Sequence, residues 1–98
     1  MREIALYGGE GNANQRFSLT LNGVNVTFVL QYLSYIESEG WNLDIYDESE
    51  KPLVLGLMLR CNTDLLAPYH RNLGHLVMLG EDPNFENLGV ENHLYWSE

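Results

Sequence analysis

Trp41-Asn42-Leu43-Asp44-Ile45-Tyr46 and, after a polar link, Leu53-Val54-Leu55-Gly56-Leu57-Met58-Leu59 are the two runs that decide how this chain folds. In the first, Trp41, Leu43 and Ile45 alternate with Asn42, Asp44 and Tyr46, the period of a strand with one buried face. The second is apolar throughout, so both of its faces are expected to be covered. Asp47-Glu48-Ser49-Glu50-Lys51 between them is polar and turn-like. Two apolar runs joined by a short polar link read as a β-hairpin, taken here as the centre of the core.

The same logic extends outward. Residues 2–7 alternate, with Ile4 and Leu6 on one side, and predict a first strand. Gly8-Gly9-Glu10-Gly11-Asn12-Ala13-Asn14 reads as a flexible loop, since glycine and asparagine tolerate positive φ. Phe17, Leu19 and Leu21 alternate up to Asn22-Gly23, a strong two-residue hairpin signal. Val24, Val26, Phe28 and Leu30 resume the pattern, which runs on to Tyr35. Glu37-Ser38-Glu39-Gly40 is expected to turn the chain into the central strand. Thr63 is a candidate N-cap for one short helical turn over residues 63–68, limited by Pro68. His75 to Leu79 and Glu91 to Trp96 read as the last strands, with breakers at Gly80-Glu81-Asp82-Pro83-Asn84 and a turn or short helical segment at Phe85 to Gly89. Six or seven short strands predict an all-β fold, a small antiparallel barrel or two-sheet sandwich, occupying residues 1–98 as a single domain.

Composition bounds the function. Ninety-eight residues suffice for one modest core. The net charge of −9, with only five Lys and Arg, argues against direct nucleic-acid binding and against an anionic membrane surface. No apolar run approaches the roughly 18 residues of a membrane span. Met1-Arg2-Glu3-Ile4 lacks the long apolar centre of a signal peptide. Cys61 is the sole cysteine, which excludes a disulfide scaffold and suits a reducing compartment.

No catalytic, cofactor or metal constellation stands out. Cys61 has Arg60 and His70 nearby in sequence, yet a cysteine ending an apolar strand is usually buried and inert. His70, His75 and His93 lack metal-ligand spacing. Asp44, Asp47, Glu48 and Glu50 lack the order of a calcium loop and read as a solvated turn. The glycine-rich loop is not followed by a Gly-Lys-Ser/Thr element, so it is no phosphate cradle. Asn25-Val26-Thr27 spells a glycosylation sequon without a signal for secretion. The aromatics say more. Tyr32, Tyr35, Tyr46, Tyr95 and Trp96, with Leu94, are the candidate interface residues, because Tyr and Trp give large contact area with a polar handle. Leu94-Tyr95-Trp96 is the best single patch.

The ordered pattern resembles the baseplate plug proteins of contractile-tailed bacteriophages. Asn14-Gln15 with Phe17, Leu21 with Gly23, Trp41 with Leu43-Asp44-Ile45, and the strand ending around Gly56 carry the resemblance. Asp64-Leu65-Leu66, Leu73-Gly74 with Leu76, Pro83, Leu88-Gly89 and Leu94-Tyr95 complete it over nearly the whole chain. It implies a β-rich structural subunit without enzymatic activity or cofactors. Such a subunit packs in the virion tail baseplate against hub, tail-tube and spike proteins and copies of itself, after assembly in the host cytoplasm. An acidic surface would then border a DNA channel without trapping DNA. The chain departs from the pattern at Glu48-Ser49-Glu50-Lys51, where a glycine-containing turn is expected, and in ending directly after Leu94-Tyr95-Trp96 without a longer tail. Two other classes compete: a ligand- or glycan-binding module stacking sugars on Trp41 or Trp96, and an enzyme centred on Cys61 and His70.

Overall fold

A computed structural model of the chain describes residues 2–9, 11–21, 23–35, 38–69 and 73–97. Seven strands follow in order: β1 (Arg2–Ile4), β2 (Asn14–Leu21), β3 (Val24–Tyr35), β4 (Ser38–Tyr46), β5 (Pro52–Met58), β6 (His75–Gly80) and β7 (Asn92–Ser97). They form two antiparallel sheets, ordered β1-β7-β6 and β2-β3-β4-β5. The sheets face each other across one apolar core, an open sandwich rather than a closed barrel.

Alternation places the core. Val26, Phe28 and Leu30 of β3 and Trp41, Leu43 and Ile45 of β4 point inward from the larger sheet. Leu76, Met78 and Leu94 meet them from the smaller one, and all nine are buried. The hairpin at residues 22–23 puts Leu21 opposite Val24, with Gly23 at φ 77°. Asn22 lies outside the described residues. β4 and β5 pair as the alternation predicts, with Leu43 opposite Leu57 and Ile45 opposite Val54.

Several expectations are corrected. β5 is an edge strand, and Leu55 is 54 % exposed, so its apolar run is covered on one face only. Leu55 and Gly56 together oppose Asp44, which makes a bulge. The Asp44 carboxylate accepts the Gly56 amide at 2.8 Å, and Gly56 supplies the φ of 72° that the bulge needs. Asp44 is therefore a structural acceptor, not part of a loose acidic turn. Asp47 is another, since its Oδ1 accepts the amides of Ser49 and Lys51. Ser38 to Gly40, expected to turn, belong instead to β4 and pair with Tyr35 to Leu33; Glu37 lies outside the described residues. β1 ends at Ile4, although Leu6 beyond it is still buried. The loop expected to be flexible is tied back. The Gly9 amide donates to Phe85 O, and Asn12 Nδ2 to Gly8 O.

The helical turn is shorter and later than expected, a 3₁₀ turn over Ala67–Tyr69. Its cap is Asp64, not Thr63. Asp64 Oδ1 accepts the amides of Leu66 and Leu76, and Oδ2 pairs with His75 Nδ1 at 2.7 Å. Residues 61–65 thereby lie along the outer edge of β6, bridging Cys61 to Met78 and Asp64 to Val77. Burial pushes the Asp64 pKa up, but the bonds from His75 and the Leu76 and Leu66 amides outweigh it and hold the carboxyl below its usual 3.8. A depressed folded-state pKa contributes stability that is full above the usual value and is lost as pH falls through the lower one. Asp64→Asn should therefore destabilise the protein at neutral pH and lose less further stability on acidification. Urea denaturation across that pH range checks this.

The long connection after β6 is built on asparagines. Asn84 and Asn87 exchange side-chain-to-backbone bonds, Asn87 Nδ2 donates to Asp82 O, and Asn92 Nδ2 donates to Glu81 O and Asn87 Oδ1. Asn92 Oδ1 accepts the Gly89 amide. Asn92 is wholly buried, so its polar groups must be satisfied internally. Gly89 is obligatory here, since at φ 81° an added Cβ would lie 2.0 Å from Leu6 O. Asn92→Ala should lower the unfolding free energy by about 1–3 kcal/mol, through the partners left unpaired. Guanidinium denaturation reads the loss.

Candidate interface

A sandwich that is not closed has four strand edges, and exposed edges are where chains add. Three are blunted among the described residues. Residues 61–65 cover β6. β5 starts at Pro52, which has no amide to donate, and carries the Gly56 bulge. β1 is three residues long. The fourth edge, β2, is eight residues long and pairs with β3 in unbroken register from Asn14 to Leu21. The two-residue turn makes Leu21 and Val24 a hydrogen-bonded pair, so alternation turns the backbone groups of Arg16, Ser18 and Thr20 to the open side. Thr20 O there accepts from Arg2 Nη2 at 3.2 Å, as that alternation requires.

Between the unpaired edges of β1 and β2 lies a cleft of about 540 Å³. Ile4, Ala5, Phe17 and Leu19 form its apolar lining. Arg2 also lines it, and Arg16 borders it from β2, its exposed side chain on the opposite face of the strand from Phe17 and Leu19. Phe17 packs on Phe28 with ring centroids 5.5 Å apart, which anchors the floor to the core. Side chains close the two ends in place of a strand ladder. Arg2 reaches Thr20 at one end and lies 5.7 Å from the Trp96 ring centroid. At the other, the Gln15 carboxamide pairs with both the amide and the carbonyl of Tyr7. Arg16 Nη2 contacts Glu50 at 3.0 Å, but both side chains are more than half exposed, and such pairs hold weakly. Glu50 itself sits at φ 62°, the left-handed conformation that a glycine in this turn would adopt freely.

Of the six residues singled out from sequence, the five whose side chains are described do not come together. Leu94 is 1 % exposed and lies in the core, so the Leu94-Tyr95-Trp96 patch is a misreading: successive strand side chains face opposite ways. Tyr95 faces outward beside His93, with ring centroids 6.5 Å apart. Trp96 turns back toward the core and donates from Nε1 to Leu73 O at 2.5 Å. Tyr32 is half-buried between Trp41 and Phe85, at centroid distances of 5.3 and 5.0 Å. Tyr46 is half-buried at the end of β4, opposite Thr27 and Pro52. Tyr35 ends β3 opposite Ser38, and its side chain lies outside what is described. The sequence reading missed Arg2, Arg16, Phe17 and Leu19. The available signal was that two of the five cations fall on neighbouring strands of a strongly acidic chain.

The competing sites look different in space. Trp41 is fully buried and offers no stacking face. Cys61 is half-buried with Sγ 3.3 Å from Glu81 O. Burial, then Asp82 and Glu81, push its thiol up, away from the reactive thiolate. His70 lies outside the described residues. Iodoacetamide should accordingly label Cys61 in the native protein more slowly than it labels glutathione at the same pH. Mass spectrometry over time would show this, and an equal or faster rate would restore a nucleophile.

The geometry thus defines a small β-sandwich with one regular open strand edge beside an apolar cleft. The chain matches the family model described as cyanophage baseplate Pam3 plug gp18 over residues 1–98, its whole length, and it belongs to that family. No curated protein sequence matches it. Membership makes it a structural component of the virion tail baseplate that associates with other baseplate components.

Proposed function

We propose that this chain is a one-domain packing subunit that performs no chemistry of its own. It docks on hub, tail-tube and spike proteins and on further copies of itself, and it enters the baseplate in the host cytoplasm. Family membership supports the place in the baseplate. The observation that carries the mechanism is the unblunted β2 edge, in a fold that covers, shortens or bulges its other three edges. Hydrogen-bonding groups left open on a long regular strand are a template for another chain. The net charge of −9 keeps the free subunit soluble and suits a surface beside passing DNA.

Co-expression of the chain with the hub, tail-tube and spike proteins of the same phage, in a bacterial cytoplasm, tests this reading. The expected result is co-purification with at least one of them, as a complex of fixed stoichiometry by native mass spectrometry. A free monomer that binds none of them, alone or combined, would overturn it.

A further inference from the structure

We infer that the cleft between β1 and β2 is a receiving slot for one extended, acidic segment of another baseplate protein, which adds to β2 as a further strand. The inference rests on the packing function proposed above and names the kind of contact. Its first support is backbone geometry. Arg16, Ser18 and Thr20 turn their amides and carbonyls to the open side of β2, and the Thr20 carbonyl is met by the Arg2 side chain. An incoming strand replaces that contact with ladder bonds of the same kind.

The second support is shape. An extended segment sends alternate side chains to one face. Laid along β2, it buries them against Phe17 and Leu19, which line the cleft and are only partly covered by their own chain, beside the buried Ile4.

The third is charge. Arg2 and Arg16 are two of only five Lys and Arg in a chain with fourteen Asp and Glu; Arg2 lines this cleft and Arg16 borders it. Glu3 lines it too, but its Oε2 is held by His93 Nδ1 at 2.8 Å. Arg16 is bound to Glu50 only through an exposed pair, so it can exchange that carboxylate for one on the incoming segment. A second copy is the poorer occupant, because it brings a net charge of −9 against another −9.

The test uses synthetic peptides of about twelve residues, enough to span one strand and its flanks, tiled across the hub, tail-tube and spike proteins. Binding to the full chain is read by fluorescence polarisation, and its position by amide chemical-shift changes. The expected binder alternates apolar residues and carries carboxylates, and its shifts centre on Arg16 to Leu19. Ser18→Pro removes one outward amide without touching the ladder to β3, and should weaken binding at least about tenfold. Arg16→Glu should weaken it to a similar degree, about tenfold. Thermal unfolding of both variants confirms that they fold. Leu55→Asp, on the blunted β5 edge, should leave binding unchanged.

Shifts centred on β5 or the 61–65 segment, or binding indifferent to both variants, would overturn the slot. So would a basic binder, a cleft that takes only small apolar molecules, or a dimer formed through β2. If the intact partner proteins bind but no peptide does, the slot fails while the packing function stands. If neither binds, the packing function itself is wrong.

Discussion

Trp41 has the largest side chain in the core and one polar atom that cannot reach water. Its indole is completely buried, so the Nε1–H must find an acceptor inside the protein. Asn84 O, forty-three residues on, supplies it at 2.8 Å. That single requirement fixes where the connection from β6 to β7 must run. Once Asn84 is over the indole, Phe85 falls on Tyr32, Phe85 O receives the Gly9 amide, and Gly89 closes on Leu6. The loop is thus a lid over one end of the sandwich, held by an asparagine network rather than by apolar burial alone. No described buried side-chain nitrogen or oxygen is left without a partner, as a buried polar network of this kind demands.

The residues carrying the family resemblance gain physical meaning in this light. Trp41 sets the lid, Asp44 holds the β5 bulge, Asp64 ties residues 61–65 to β6, and Gly89 permits the close approach to Leu6. Gln15 closes one end of the cleft. Asp44, Asp64 and Gln15 close or shape an edge, while Trp41 and Gly89 close one end of the sandwich. That economy of closure is what makes the remaining open edge informative, because a fold that blunts three edges has the means to blunt a fourth.

Much of the fold was legible in the sequence, because both hairpins are local. Alternation over Phe17 to Leu30 and over Trp41 to Ile45 needs only neighbouring residues, and Asn22-Gly23 marks its own turn. What failed depends on distant partners. An apolar run such as Leu53 to Leu59 signals burial on two faces only if both faces meet something. Sheet order makes β5 an edge and leaves Leu55 in water. The cap at residue 64 needs Leu76 across the sheet, so Thr63 looked the better choice locally. The cleft was illegible for the same reason, since nothing in the chain's order says that β1 joins β7 and leaves β2 at a sheet edge. The Leu94-Tyr95-Trp96 patch is a different fault. The period of two already separated Leu94 from Tyr95.

Charge ties the surface back to assembly. A baseplate component with fourteen acidic and five basic side chains repels most of what resembles it. Close association must therefore occur where that repulsion is locally reversed or where burial outweighs it. The cleft meets both conditions, with Arg2 beside its apolar floor and Arg16 on the adjoining outer face of β2. Burial there proceeds at roughly 25 cal/mol per Å² of apolar surface, and ladder bonds set the register of whatever docks. In the proposed docking, electrostatics would choose the partner and the strand edge would orient it, a division of labour that a small subunit can use to find one place in a large assembly.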